Sequence, residues 1–427
     1  MADKRVVVVG GGVIGLCSAY YLAKAGVEVV LLERGEIGAG ASSGNAGAIA
    51  PGHGPMTRPG RVLQALKWMG DPTSPLFLPL RWDPTLWYWL LRFNTFCTEK
   101  HVHRSMEILG PLGHLSRRLF DELVEEEELD CCFVADGYYD VFRTQAGFEG
   151  AQPEIPLQQR FGYDTRAVLG PALEEMEPAL RPGTVGGLFF PESATIDPGR
   201  FMDELGRASE ERGVRIRTGA NVTDLIAPGG RLAGVSLEDG DVVEGDAVIL
   251  ATGAYSLDLP RIAGLDLPIQ PAKGYHRDLP AGDGGVQQLK LTMMLGERYV
   301  FCTPMGDFLR LAGTLELSGL NHTVVPARLE NLNHSASRYL SGLEKGSSRD
   351  DWVGLRPVTH DGLPVMGPAP GLEGLFIANG HAMLGLTLGP ITGKILADWV
   401  VAGAPPTVAA SAGDPPIDLS ALLPDRF

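Results

Sequence analysis

The strongest constraint on the fold sits at the start of the chain. Val6-Val7-Val8-Val9 is a β-branched apolar run, the pattern of a strand buried on both faces, and it leads straight into Gly10-Gly11-Gly12-Val13-Ile14-Gly15. Val13 to Ala25 then reads as a helix with Gly26 placed to end it, and Val27–Leu32 as a second strand closing at Glu33. This is a β-α-β unit with G-x-G-x-x-G at its first turn. Gly10 permits the tight turn, Gly12 lets the main chain approach a pyrophosphate, and Gly15 lets helix and strand pack closely. The helix start at Val13 and Ile14 meets the phosphate charge. A glycine-rich turn without a ligand is the plain alternative. It gives no account of the carboxylate of Glu33, eighteen residues after Gly15, where it would hold ribose hydroxyls.

Glu33 also narrows the choice of dinucleotide, because a carboxylate there repels a 2′-phosphate and argues against NADP. NAD and FAD remain. The next segment, Gly38-Ala39-Gly40-Ala41-Ser42-Ser43-Gly44-Asn45-Ala46-Gly47, breaks the tie. An NAD dehydrogenase needs no small-residue loop after its second strand. An extended flavin dinucleotide runs past this loop and must meet backbone donors and short hydroxyls. Read alone, the segment could be a flexible surface loop.

Further apolar runs predict that the nucleotide domain is discontinuous. Val248–Ala251 and Leu375–Ala378 read as buried strands far from the first, the latter leading through a glycine-rich turn into a helix from about Gly389 to Val401. Between them lie a helix-rich stretch from about Arg61 to Leu129, an amphipathic helix over Phe201–Arg212, a strand near Val214–Thr218, a hairpin across Ala227–Leu237, and a β-rich segment over Leu265–Thr323. The expected fold class is α/β: a Rossmann-type FAD-binding domain plus an α+β substrate domain with a mixed or antiparallel sheet. The FAD-binding parts are expected at 1–60, 191–262 and 346–405. A mainly helical substrate part would span 61–190, the substrate sheet 263–345, and a loosely packed tail 406–427.

Charge and cysteine usage bound the function. A formal net charge of −16 argues against nucleic-acid binding, though local arginines can still hold an anionic substrate. Five cysteines, Cys17, Cys97, Cys131, Cys132 and Cys302, show no C-x-x-C, and no secretory signal precedes Val6, so a reducing, cytoplasmic setting is expected. The most apolar stretch, Leu76–Phe96, holds Arg81, Asp83 and Arg92 and cannot be a transmembrane segment. Its aromatics could rest on the inner face of a membrane, a peripheral contact, or belong to a buried amphipathic helix.

Several motifs, in order along nearly the whole chain, resemble the D-amino-acid oxidase superfamily of flavoproteins. They are the Gly-rich start, Glu33-Arg34, Ala-Ser-Ser-Gly-Asn-Ala-Gly, Ala251-Thr252-Gly253-Ala254, Gly354-Leu355-Arg356-Pro357 and the Gly380-His381 loop. Asp83-Pro84 with Trp89–Phe93, Lys273-Gly274-Tyr275 and Gly380–Thr387 are most similar to the D-amino-acid dehydrogenase branch. The resemblance implies non-covalent FAD, since no cysteine follows Cys302 to make the attachment found in sarcosine-oxidase relatives. It implies that Ser42, Ser43, Asn45, Ala46 and Gly47 lie along the pyrophosphate and flavin, Val222 at the adenine, and Thr252 and Gly253 near phosphates and ribose. Gly354 is implied beside the flavin, and Leu384, Gly385, Leu386 and Thr387 at its pyrimidine edge. His381 would orient flavin or substrate, or make a structural hydrogen bond. Arg356 is implied as the carboxylate-binding arginine and Arg310 as a second one, an arginine fork suiting a carboxylate; a structural ion pair is the plain reading of each. Tyr275 and Tyr299 are candidates to bond the substrate, and His53 is a further one.

The expected activity is oxidation of the C–N bond of a small amino acid, a D-amino acid first, to an imine that hydrolyses to a 2-oxo acid. The alternative substrates are secondary amines such as iminodiacetate, sarcosine or hydroxyproline, with oxygen or a quinone as acceptor. Rival readings are an NAD dehydrogenase and a non-catalytic FAD-binding protein. Cysteines and histidines do not cluster at zinc spacing, and Asp350-Asp351 and His360-Asp361 read as turns, so no metal is expected. No G-x-S-x-G elbow points to a serine hydrolase.

Overall fold

The computed structural model describes residues 4–63, 74–79, 82–255, 264–282, 289–343, 348–411 and 413–427, with Leu259, Arg261 and Val286. Arg81 and the expected boundaries at 262–263 and 345–346 lie outside the described residues.

Arg5–Val9 is an inner strand of a sheet ordered Val365–Pro368, Leu375–Asn379, Ala247–Leu250, Arg5–Val9, Glu28–Leu32, Arg215–Arg217. Its neighbours run parallel except for the antiparallel first pair. Alternation explains why the run is apolar throughout. Val6, Val8, Val29, Leu31 and Ile249 pack beneath the helices Val13–Lys24, Pro198–Glu211 and Gly385–Ala402. Val7, Val9, Val30, Leu32, Val248 and Leu250 pack on the other face, against the antiparallel strands Val222–Ile226, Gly234–Leu237 and Val242–Glu244. Both faces are covered, as a parallel sheet requires. The first turn is as tight as its glycines imply. Gly10 takes φ +108°, and a Cβ on Gly15 would stand 1.9 Å from the Gly10 carbonyl oxygen. The α/β class and a nucleotide sheet drawn from separated stretches are what the chain adopts.

The second sheet is ordered Asp350–Thr359, Ile269–Pro280, Phe308–Glu316, Val300–Met305, Met293–Leu295, Tyr138–Phe142, Gly186–Phe190, Arg166–Leu169. It is antiparallel but for Met293–Leu295 beside Tyr138–Phe142, and Leu76–Phe77 beside Phe308–Glu316. One face carries the helix Pro326–Ser337, docked through Arg328 on Glu316 at 2.9 Å. The other face looks across a cavity toward the first sheet.

Three local expectations need correction. The last helix begins at Gly385, not near Gly389, and carries Pro390 inside it, so the turn read as glycine-rich loop is the helix's own first turn. Leu76–Phe96 is not one helix: Leu76–Phe77 is a strand, and the helix Pro84–Phe96 starts after Asp83, which caps it by accepting from the Leu86 N–H. Asp350-Asp351 is not a turn but the start of a long strand, where Asp351 pairs with Arg277 at 2.7 Å.

Candidate active site

A cavity of about 1560 Å³ runs from the first turn of the nucleotide sheet to the inner face of the second sheet. That exceeds the roughly 300–1000 Å³ typical of a small-ligand pocket and suits a dinucleotide with a substrate beside it.

At one end stand Gly10, Gly12, Val13, Ile14, Glu33 and Arg34. Gly12 is the N-cap of the Val13–Lys24 helix and has no side chain to cap it, so the helix start is open to an anion. Ser42 is the first loop residue to reach it, its Oγ accepting from the Val13 N–H at 2.9 Å. The Glu33 carboxylate is braced by the N–H groups of Gly11 (2.7 Å) and Gly35 (2.8 Å), which hold it toward a ribose position. Arg34 lies 4.2 Å over the Tyr255 ring, and His322 stacks on that ring at 5.5 Å. Tyr255 and His322 line the cavity and escaped the sequence reading, because only the tertiary fold brings them beside Arg34. Val222, Thr252 and Gly253 line the same end.

The 38–47 loop is clamped between the sheets rather than flexible. Asn45 closes it internally, its Nδ2 donating to the Ser42 carbonyl at 2.6 Å and its Oδ1 accepting from Gly47 N–H at 2.8 Å. His276 bonds the Gly44 carbonyl (2.7 Å), and Thr303 donates to that of Ala46 (2.8 Å). Ser42, Gly44, Asn45 and Ala46 line the cavity, whereas Ser43 and Gly47 are not among its lining residues. The Gly47 carbonyl instead holds Ile196 N–H at 2.9 Å.

At the far end, Leu384 caps the Gly385–Ala402 helix, and Gly385, Leu386 and Thr387 form its first turn on the cavity wall. N–H groups of a first turn have no intrahelical acceptor, so this turn presents a second positive dipole end. His381 beside it is buried, with Nε2 3.0 Å from the Thr392 hydroxyl and Nδ1 enclosed without a partner. Burial pushes its pKa down to about 3, so the ring is neutral. Two helix starts, a braced carboxylate and an orphaned imidazole nitrogen along one cavity are a set of hydrogen-bond donors and acceptors that fits FAD.

Arg356 and Gly354 lie on the second sheet's inner face. Glycine at 274, on the neighbouring strand, makes room for the Arg356 fork: a Cβ there would be 2.2 Å from Nη1. The guanidinium donates to the Thr314 carbonyl at 3.2 Å, and among the described residues no carboxylate pairs with it. Its enclosure lowers the pKa to about 10, still charged at neutral pH. Tyr299 lines the wall with φ +52°, its ring 5.8 Å beneath Arg61. His53 also lines it, held neutral by burial and by Arg58, with a pKa lowered to about 4.

Two residues expected to bind the substrate have their polar groups engaged by protein partners. Arg310 is buried, and its fork is already filled: Nε and Nη2 each reach Asp278 at 2.8 Å, while Nη1 donates to the Asn45 carbonyl at 3.0 Å. It is a brace for the 38–47 loop. Tyr275 also borders the cavity, but its hydroxyl is engaged in the core under the Pro326–Ser337 helix, where it donates to Glu316 at 2.8 Å. Asp350 lies near His276 and Asp278, the one grouping with metal-ligand spacing among the described residues, but Arg310 occupies both oxygens of Asp278.

The family model described as FAD dependent oxidoreductase (DAO) matches residues 5–399. The chain belongs to the DAO family. It is 35% identical over 407 residues to the D-amino acid dehydrogenase of Methylobacterium nodulans, covering 94% of this chain and 96% of that one. It is 32% identical to the D-amino acid dehydrogenase of Bradyrhizobium diazoefficiens, covering 99% of each. The fold is similar to that of glycine oxidase from Geobacillus kaustophilus, with a TM-score of 0.75, 23% identity and full coverage of both chains. As a DAO-family member the chain is an FAD-dependent oxidoreductase, which sets aside the NAD reading.

Proposed function

We propose that this enzyme oxidises the C–N bond of a D-amino acid to an imine, which water hydrolyses to a 2-oxo acid and ammonia. The observation that carries this reading is Arg356, a cation in the cavity wall with no carboxylate partner among the described residues. An unpaired charge in such a place is costly until an anion meets it, and the planar fork selects a carboxylate. The D-amino acid dehydrogenases at 35% and 32% identity support the substrate class.

FAD, when bound, supplies the acceptor for the two electrons. The protein's part is to position and desolvate. Arg356 fixes the carboxylate and with it the direction of the Cα–H bond. Trp352, Phe301 and Tyr138 wall the cavity and exclude water. His53 and His381, both neutral, keep further positive charge away from the substrate amine. FAD is proposed to be non-covalent: none of the five cysteines lines the cavity, and Cys17 and Cys302 are fully buried with thiol pKa values raised by that burial.

Anaerobic mixing of the yellow protein with D-amino acids, L-amino acids, N-alkyl glycines and hydroxyproline tests this directly. Rapid bleaching by D-amino acids is expected. Bleaching by iminodiacetate or sarcosine alone would move the assignment to secondary amines, and bleaching by nothing would mark a non-catalytic flavoprotein.

The acceptor is proposed to be a membrane quinone. Among the described residues no helix is long and apolar enough to cross a membrane. The Pro84–Phe96 helix buries Leu86, Trp89 and Phe93 but leaves Tyr88 and Leu91 exposed, and Trp82, two residues before the helix, is 90% exposed. Such a stripe suits the headgroup level of a bilayer. Co-sedimentation with zwitterionic vesicles, lost in a Trp82→Ser, Leu91→Ser variant, is the check.

A further inference from the structure

We infer that Asp140 reads the far end of the substrate side chain, and that the enzyme takes D-amino acids ending in a cationic group. This rests on the D-amino-acid reading above. The strand Tyr138–Phe142 alternates: Tyr139 and Val141 enter the core under the Pro326–Ser337 helix, whereas Tyr138 and Asp140 line the cavity. Paired residues form a row across the sheet, Asp140, Met294, Phe301, Ala312, His276, Trp352, and directly paired residues share a face. Asp140 therefore lies on the same face as Arg356, which follows Trp352 by four residues on its strand.

Strand order sets the distance. The Arg356 fork reaches Thr314, on the strand three places from that of Asp140, which is about 14 Å at about 4.8 Å per step. A short substrate anchored on Arg356 ends beside Ala312 and Phe301. A long one reaches Asp140.

What waits there is an unmatched carboxyl. Asp140 Oδ1 is fully enclosed without a hydrogen-bond partner, and among the described residues no cation pairs with the group. Its acidic neighbour is treated oppositely: Glu154 takes both Nη atoms of Arg58, at 2.6 and 3.0 Å, and Gln158 at 3.2 Å. His53 on the adjoining loop is held neutral and supplies no charge. Burial, then the Glu154 charge, pushes the Asp140 pKa well up, as expected of a carboxyl whose cation is missing. A cation brought by the substrate restores the ionised form. An uncharged side chain of the same length leaves the carboxyl orphaned, so the arrangement discriminates between the two.

The test is steady-state kcat/KM of the holoenzyme for D-lysine, D-norleucine, D-glutamate and D-alanine, in wild type, Asp140→Asn and Asp140→Leu. Wild type should prefer D-lysine to D-norleucine, and both variants should reduce that ratio by at least about tenfold. A ratio unchanged by the substitutions, or a wild-type preference for D-norleucine or D-glutamate, overturns the inference. Melting temperatures of the variants should match or exceed wild type, because an orphaned carboxyl stabilises nothing; a marked fall in Asp140→Asn would reveal a structural role and overturn it too. Flavin bleaching by D-alanine with no lysine preference defeats the Asp140 inference alone. No bleaching by any D-amino acid defeats both.

Discussion

Arg356 and Arg310 sit on neighbouring parts of one sheet, and their partners give them different work. Arg356 donates to one carbonyl, that of Thr314, and to no carboxylate among the described residues, so replacing it frees one acceptor and leaves no charge unpaired. Arg356→Met should lower kcat/KM by roughly 10²- to 10³-fold, mostly through KM, with flavin content unchanged. Flavin loss with normal KM in the remaining holoenzyme would sink the assignment. Arg310→Met leaves Asp278 buried and unpaired, and should cost about 3 kcal/mol or more of stability, read as a lower denaturant midpoint, while KM of the surviving holoenzyme holds. The neutral histidines carry a pH signature. Both folded pKa values, about 3 for His381 and about 4 for His53, lie below the ordinary 6.5. As pH falls through 6.5 the unfolded chain binds these protons first, so stability is full above 6.5 and declines toward pH 4 and below. Denaturant melts across that range should show the decline, with a shallower slope in His381→Gln.

At the scale of elements, the first turn and the docked helix are the sensitive joints. Gly15→Val would drive its Cβ into the Gly10 carbonyl, 1.9 Å away, pushing helix from strand. Loss of flavin and a lower melting temperature should appear together, measured by the flavin-to-protein absorbance ratio and calorimetry. The Pro326–Ser337 helix depends on Glu316, which is buried with Lys273, Tyr275 and Arg328. Burial alone would raise the Glu316 pKa, but hydrogen bonds from Lys273, Ser318 and Tyr275 hold it below 4.5. Because the folded value is depressed, its stabilising effect is present above 4.5 and is lost as pH falls through the lower folded value. Glu316→Gln should flatten the acid limb of the stability curve. The sequence predicts a late helix only from about Gly389 because Gly380 and Gly385 read as a turn, whereas glycines are built into the front of this helix. Tight packing makes them useful instead: a Cβ on Gly389 would lie 3.0 Å from Val13 Cγ2 of the first helix.

Across the whole molecule, the cofactor cavity is the seam between the two sheets, and the 38–47 loop crosses it with His276, Arg310 and Thr303 holding its carbonyls. FAD bound there stabilises the folded form by mass action. Raising free FAD to a hundredfold excess over Kd should add about 2.7 kcal/mol, seen as a concentration-dependent melting temperature of apoprotein. A melting temperature insensitive to FAD would separate cofactor binding from the seam.

The β-α-β turn at one end of the cavity was legible in the sequence because its geometry is local. Gly10, Gly12, Gly15 and Glu33 fall within one β-α-β unit, and backbone geometry dictates what each must be. The substrate end belongs to residues hundreds of positions apart, and there identity alone does not decide. Arg356 and Arg310 are the same side chain on nearby regions of sheet; only register and partners leave one without a carboxylate among the described residues and make the other a brace. The Tyr275 hydroxyl is taken by Glu316 in the core, and pairing across the sheet set Asp140 on the face of Arg356. Local sequence dictated the dinucleotide turn; long-range pairing and the placement of counter-charges decided which charged groups face the rest of the cavity.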